Sequence, residues 1–364
     1  MKHIKNVTYM LLVQMVNYAF PLITIPIVSR VFGPEKIGLI NYLTAIVAYF
    51  TLMVSYSFNF TGVRRVTSDF SKKDKVFRTI FTTQLLLLTL CALMFIFVIL
   101  LQKDLKENLL LSIVVFTSCV TALFTQNWFL QANSDFKLLA KISFLSKLLS
   151  FIFILILIRK GSSLFIYAVI INLVPLIVAI VVFVITIRRY KIKLRLVNVS
   201  DCIAYLKEDS YLFFSSIVTS LYTTSGIILL GYLSSKSEVG YYTSAQRVID
   251  TFKSIIMLPI SQIVFPILAE KFSKNTNEGI ASVRKIMPLF ILISFFTLIF
   301  IYTCSGLIVS ILFGPMFTPV IDILSILSLG LFFVFFGSLF VSSSASAIEP
   351  VDTEELSEDD EGLN

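Results

Sequence analysis

The sequence predicts an all-α polytopic membrane protein with about ten transmembrane helices, and three observations carry that reading. Hydrophobic residues make up 57% of the 364 and charged residues only 14%, far below the roughly 25% charge of an ordinary soluble domain. Apolar runs of about 20 residues, enough to cross a hydrocarbon core of about 30 Å, recur along nearly the whole chain. The basic residues gather in alternate connections between those runs, as orientation in a membrane requires.

Taken in order, the first five spans are expected at 7–29, 38–62, 79–101, 109–131 and 138–158. The second five are expected at 162–187, 210–233, 240–266, 286–312 and 319–342. The first run is too long for a signal peptide and has no small-residue cleavage site, so it reads as a retained span. Gly33-Pro34, Gly161 and Gly314-Pro315 punctuate connections, because glycine and proline interrupt helices. The segment from Gln102 to Asn108 leaves room only for a tight turnaround.

With the N-terminus placed in the cytoplasm, the inside segments carry 20 Lys and Arg and the outside connections 7. Loops 63–78 and 188–209 hold six each, the densest of the inside set. The remaining three cations, Lys147, Arg247 and Lys253, fall inside expected spans. Ten spans put both termini in the cytoplasm. The formal charge of +8 hides an acidic tail, since eight of the 22 acidic residues follow Ala347. The membrane body is therefore strongly basic, which anchors inside loops to anionic headgroups. These cations occupy topologically required loops and form no soluble module, so no nucleic-acid partner is expected.

A repeat links the two halves. Gly33–Ile40 aligns with Ser235–Tyr242, and Gly38 and Gly240 match at an offset of 202 residues. Six spans separate the copies, so both have the same orientation, as in transporters built from parallel repeats. Four domains follow: a six-helix bundle at 1–187, a basic cytoplasmic connector at 188–209, a four-helix bundle at 210–342 and an acidic disordered tail at 343–364.

Polar residues inside spans mark candidate sites. Arg247, Asp250 and Lys253 recur every third residue in the eighth span, close enough for Asp250 to pair with either cation. Charge at the bilayer centre costs at least about 2.5 kcal/mol, so such a face should meet protein or a wet cavity. Lys147 in the fifth span and Arg30 at the end of the first join them as candidate cavity cations; snorkelling to an interface is the alternative for each. Gln14, Asn17, Asn59, Asn127 and Gln131 are candidate secondary lining, with interhelical hydrogen bonds as the competing role.

Several chemistries are excluded. The chain has one histidine, His3, so no histidine triad or multi-histidine metal site can form. The four cysteines have no CxxC or Cys/His spacing, and read as buried or free thiols. No GxxxxGK[ST] loop is present, which argues against intrinsic ATP hydrolysis. Neither a cofactor nor an enzymatic activity is expected.

Three motifs resemble a known family. The first runs from Pro26 through Ser29-Arg30 and Gly33-Pro34 to Gly38, then from Tyr56 through Asn59 to Arg64-Arg65 and Val66. The second is Asn127-Trp128-Phe129-Leu130-Gln131, and the third Leu312-Phe313-Gly314-Pro315-Met316-Phe317. In that order they are similar to the bacterial polysaccharide flippases of the multidrug/oligosaccharidyl-lipid/polysaccharide exporter superfamily, over roughly residues 4 to 340. The resemblance implies a flippase for undecaprenyl-diphosphate-linked oligosaccharide units, feeding O-antigen, capsule or exopolysaccharide assembly from a bacterial inner membrane. It also implies two bundles around a cationic cavity, to which Arg30, Lys147 and Arg247 would contribute. A polysaccharide polymerase and a chain-length regulator are the implied partners. A peptidoglycan lipid precursor flippase and a multidrug exporter of the same superfamily remain the alternatives. Family members usually have at least twelve spans, so the second bundle is expected to be short of its last two helices, through truncation or an altered C-terminus; a divergent ten-helix member is the alternative.

Overall fold

A backbone amide in hydrocarbon has no water to bond, so apolar runs of this length close their hydrogen bonds internally, as helices. The computed structural model describes the backbone of residues 2–348, with side chains for residues 20–257 and most of those from 264 to 337. Among these residues there are helices and no strand. The helices are α1 (Lys2–Ser55), α2 (Phe58–Ser68), α3 (Lys73–Leu101), α4 (Lys103–Glu107), α5 (Leu109–Phe124) and α6 (Asn127–Ala132). They continue as α7 (Phe136–Leu157), α8 (Leu164–Tyr190), α9 (Val199–Leu233), α10 (Lys236–Lys274), α11 (Thr276–Leu312) and α12 (Val320–Ile348).

Seven described segments are long and apolar enough to cross a membrane: Phe20–Ser68, Phe70–Leu101, Leu109–Ala132, Phe136–Leu157, Leu164–Tyr190, Val199–Leu233 and Thr276–Leu312. A shorter apolar helix, Val320–Phe335, follows. The chain is an all-α polytopic membrane protein. Large apolar side chains on α3 and α5, such as Leu100 and Leu110, lie on the outside of the fold, where lipid replaces water as the solvent.

The first segment holds more than one element. At about 1.5 Å per residue the 54-residue α1 would measure about 80 Å, far more than one crossing. Gly33 breaks it, with φ 70° and ψ 177°, a conformation essentially restricted to glycine. Pro34 follows and disfavours helical geometry at the residue before it. Gly314, ahead of Pro315, has nearly the same angles, φ 86° and ψ −176°. Both Gly-Pro pairs thus form the turns that their sequence predicts.

Other boundaries differ from expectation. The span expected at 38–62 stops at Ser55, because Tyr56 adopts a left-handed φ of 49° before α2 begins. The span at 109–131 is interrupted at Thr125 and Gln126. The turnaround at 102–108 contains the single-turn helix α4. The acidic tail after Ile348 lies outside the described residues.

By packing, the chain divides into Met1–Gly240 and Tyr241–Asn364. In the first unit α1 packs on α5, α7 and α9, and α5 packs on α8. Its centre is a cluster around Tyr42, Leu43, Val54, Phe95, Cys119 and Val239. A second cluster, nearer the end expected to face the cytoplasm, joins Phe58, Phe77, Trp128, Phe129, Phe183 and Ile192. In the second unit α11 lies along α12, and Leu268 and Phe290 are buried against Met257, Val264 and Phe272.

Within the first unit the two repeated segments meet. A Cβ on Gly38 would overlap the carbonyl oxygen of Lys236, and a Cβ on Gly240 would overlap that of Pro34. The contact is reciprocal: at the offset of 202 Pro34 corresponds to Lys236 and Gly38 to Gly240, and each meets the other's counterpart. Beside it the Lys236 ammonium pairs with Asp104 Oδ2 at 2.7 Å, donates to the Gly231 carbonyl at 2.7 Å and sits 4.0 Å over the Tyr42 ring. Pro34, Asp104 and Lys236 fall in connections expected on the outer side, and Gly38, Tyr42, Gly231 and Gly240 lie at the outer ends of the adjoining expected spans.

Backbone this close admits no side chain. Gly38→Ala and Gly240→Ala should each lower stability by about 1–3 kcal/mol, the usual cost of overpacking, read as a fall in the thermal unfolding midpoint in detergent. Gly306→Ala, where an added Cβ meets nothing within 4 Å, should leave the midpoint unchanged or raise it. Equal effects at all three positions would contradict the close approach.

Candidate functional site

The interruption of the span at 109–131 positions the site. Thr125 (φ −85°, ψ 88°) and Gln126 (φ −97°, ψ 50°) leave the helical region between α5 and α6. Non-helical backbone at membrane depth is tolerated only inside protein or beside a wet cavity. Here side chains hold the break in place. The Gln126 amide nitrogen donates to Gln84 Oε1 at 2.9 Å and to the Leu123 carbonyl at 2.6 Å, while its oxygen accepts from Trp128 Nε1 at 2.5 Å. Trp128 is in turn seated on Gly62, where a Cβ would lie 2.6 Å from the indole.

Against this break lies a cavity of about 260 Å³, walled by α5, α6, α7 and α8. Its polar lining includes Thr121, Thr125, Asn127, Ser143, Ser146 and Lys147. Pro175 of α8 also lines it; having no N–H, it leaves the carbonyl one turn earlier without its helical donor. Lys147 is half-buried here. The Thr121 and Thr125 hydroxyls donate to the Thr117 and Thr121 carbonyls, which leaves Asn127, Ser143 and Ser146 as the polar groups beside the Lys147 ammonium, and lysine binds phosphate as a point charge. The cavity can therefore receive an anion with several acceptor oxygens.

The other sequence candidates are placed differently. Asn127 lines the same cavity, whereas Gln131 is half-buried at the end of α6. Arg30 and Asn59 are exposed, on α1 and α2. In the second unit Arg247, Asp250 and Lys253 share one exposed face of α10, as their spacing implies. No ion pair forms among these three, contrary to the pairing that the spacing suggests. The side chains of Gln14 and Asn17 lie outside the described residues. Among the described residues no group of His, Cys, Asp and Glu could hold a metal ion.

The most elaborate polar cluster was not a sequence candidate. The Arg65 guanidinium forks onto Asp209, Nη1 to Oδ2 at 2.6 Å and Nη2 to Oδ1 at 2.8 Å, and Nη2 also donates to Glu208 Oε2 at 2.8 Å. Thr61 Oγ1 donates to Asp209 Oδ2 at 2.7 Å, and the carboxylate has 0% exposure. Arg65 looks like one more loop cation in sequence, and only the acidic pair Glu208-Asp209 at the entrance to an apolar run hints at its partners. Nearby, Arg189 pairs with Asp135 at 3.0 Å. In the loop itself, hydrogen bonds from Lys72 and Ser71 hold the exposed Asp69 carboxyl down at about 2. The ion pairs at 65–209, 135–189 and 104–236 each join segments expected on one and the same side of the membrane.

Comparison with known proteins gives a consistent picture. Residues 3–272 match the family model described as "Polysaccharide biosynthesis protein". A protein of Escherichia coli (strain K12) named "Putative O-antigen transporter" is 27% identical over 335 residues, covering 89% of this chain and 79% of its own length. A protein of Shigella dysenteriae with the same name is 25% identical over 291 residues, covering 77% and 71%. No solved structure matches the chain.

Gln126 is the keystone of the helix break. Gln126→Ala should destabilise the protein by about 1–3 kcal/mol, because it strands the buried Gln84 oxygen and Trp128 N–H. Trp128 is the one tryptophan in the chain, so its emission should move to longer wavelength as the indole loses its seat. An unmoved emission maximum with an unchanged melting midpoint would contradict this role.

Proposed function

We propose, because the chain belongs to the polysaccharide biosynthesis protein family, that it carries undecaprenyl-diphosphate-linked oligosaccharide units from the cytoplasmic to the outer leaflet of a bacterial inner membrane. The observation that carries this reading is the cavity at the broken helix, with Lys147 among hydroxyls. Two relatives named as O-antigen transporters support the substrate class. The products would feed O-antigen, capsule or exopolysaccharide assembly, with polymerase and chain-length regulator as downstream partners.

The physical problem is charge transfer. A diphosphate crossing bare hydrocarbon would leave all its hydration behind, at a cost of many kcal/mol. A cavity with a cation and the polar side chains of Asn127, Ser143 and Ser146 replaces part of that shell, while the polyprenyl chain stays in lipid. The sugars, rich in hydroxyls, need a wet path and no strong charge. On this reading Lys147 meets the diphosphate; Arg30, Arg247, Asp250 and Lys253 belong to the path by resemblance and by sequence position. The role is transport without covalent chemistry on the substrate. Both termini lie in the cytoplasm, as the basic loops direct. An inside-negative potential of 100 mV would favour outward movement by about 2.3 kcal/mol per negative charge carried across it.

The test is translocation in liposomes of a defined undecaprenyl-diphosphate oligosaccharide, with the peptidoglycan lipid precursor run in parallel. Lys147→Gln should slow translocation by about tenfold to a hundredfold, the loss of one hydrogen bond to a charged group of about 1.5–3 kcal/mol. Lys147→Arg should retain most of the rate, and both variants should keep their thermal midpoints. An unchanged rate in Lys147→Gln removes the residue from the path. Translocation of the peptidoglycan precursor alone would reassign the substrate.

A further inference from the structure

The connector between α8 and α9 lies against the edge of the expected membrane. Ile192 is buried among Phe58, Phe77 and Phe183, and the Val197 amide donates to Thr82 Oγ1 at 3.4 Å. Thr82 falls inside the span expected at 79–101, about 14 Å along α3 from Lys73. Between these two fixed points the chain is not helical, and cations alternate with apolar residues. Lys191, Lys193 and Arg195 are exposed. The apolar row leaves the core in steps: Ile192 is 5% exposed, Leu194 44% and Leu196 72%. Among the described residues the amides of Lys193, Leu194, Arg195 and Leu196 have no hydrogen-bond partner.

The surroundings add charge and do not neutralise it. Loop 63–78 arrives at the connector's start, where the Lys73 ammonium lies 5.0 Å over the exposed Phe70 ring and 5.9 Å from the Tyr190 ring. The Arg189 guanidinium is also 5.9 Å from Tyr190. Nearby acids are already engaged: Asp135 by Arg189 and the Tyr190 hydroxyl, Asp69 by Lys72 and Ser71. Among the described residues no ion pair reaches Arg188, Lys191, Lys193 or Arg195, from Asp201 of α9 or any other acid. Amides without partners cannot sit in hydrocarbon, and a row of exposed leucines does not belong in water. Only the headgroup layer offers acceptor oxygens and negative charge on one side and acyl carbon on the other.

We propose that the connector is a binding site for an anionic phospholipid of the inner leaflet. The lipid phosphate lies against Lys193, Arg195 and the amides beside them, and its acyl chains run along Leu194 and Leu196. Such a site differs from the general attraction of basic loops for headgroups in keeping a lipid at one place on the first unit. Free phosphate or a nucleic acid would satisfy the cations but leave both leucines in water. The same lipid is expected there whatever the Lys147 cavity carries.

Native mass spectrometry of the full-length protein, released from nanodiscs, counts the lipids that it keeps. From discs of phosphatidylglycerol and phosphatidylcholine with matched chains, the protein should retain phosphatidylglycerol. Lys193→Gln with Arg195→Gln should lower that retention about tenfold to thirtyfold, the effect of two cations at a membrane surface. Leu194→Ser with Leu196→Ser should lower it at constant charge. Arg284→Gln with Lys285→Gln removes two exposed cations from another expected inside loop and should leave retention unchanged. Equal losses from the two glutamine pairs would mean diffuse attraction and overturn the proposal, as would full retention without Lys193 and Arg195 or displacement of the lipid by millimolar inorganic phosphate. A second measurement needs no charge variant. In a Cys304→Ser background, a spin label on Leu196→Cys should be relaxed by oxygen more than by a water-soluble nickel chelate, and the reverse order would also overturn the proposal.

Discussion

Every polar group at membrane depth must find its partner within the protein, and this one constraint organises the structure. Where the chain is apolar it satisfies the backbone by helix alone. Where the helix stops, at Thr125-Gln126, the burden passes to a side chain, and Gln126 meets it by bonding to Gln84, Trp128 and the Leu123 carbonyl. A break so secured is rigid, and it opens room beside it without exposing unpaired amides to lipid. The cavity and its lysine therefore occur where the helix is discontinuous.

The same constraint explains how the ends of the first unit are finished. At the inner end a buried carboxylate is permitted because Arg65 and Thr61 saturate it. At the outer end two glycine-bearing segments of one repeat pack reciprocally, so that each copy's backbone fills the space left by the other's missing side chain. Charge closes one end and shape the other. The exposed apolar faces between them need no such device, since lipid and leucine are equivalent solvents for one another.

Much of the fold was legible in the sequence because it is imposed by the solvent. Apolar length and the sidedness of Lys and Arg act through the membrane, so they can be read without knowing any neighbour. Gly33-Pro34 and Gly314-Pro315 were legible for a local reason, the restricted angles of those two residues. The site was less so. Nothing between Phe124 and Trp128 alone dictates a break; its anchor, Gln84, sits on another helix. Tyr56 turns left-handed because of Phe213 and Leu206, far along the chain. Asp209 is an ordinary acid until Arg65 folds onto it. Intramembrane charge pointed to Lys147, which lines the cavity, but could not separate it from Arg30 and Arg247, which lie exposed.

The central claim is that the space beside the helix break is wet and reachable, so that Lys147 meets water and anions there and not hydrocarbon. Its most direct measurement is the reaction of single cysteines with a charged, membrane-impermeant thiol reagent. Ser146→Cys, beside Lys147 on the cavity wall, should react readily and be protected by undecaprenyl diphosphate. Leu155→Cys, on an exposed apolar face of the same helix, should stay inert because lipid excludes the reagent. Inert Ser146→Cys in folded protein, with or without the lipid, would contradict the account.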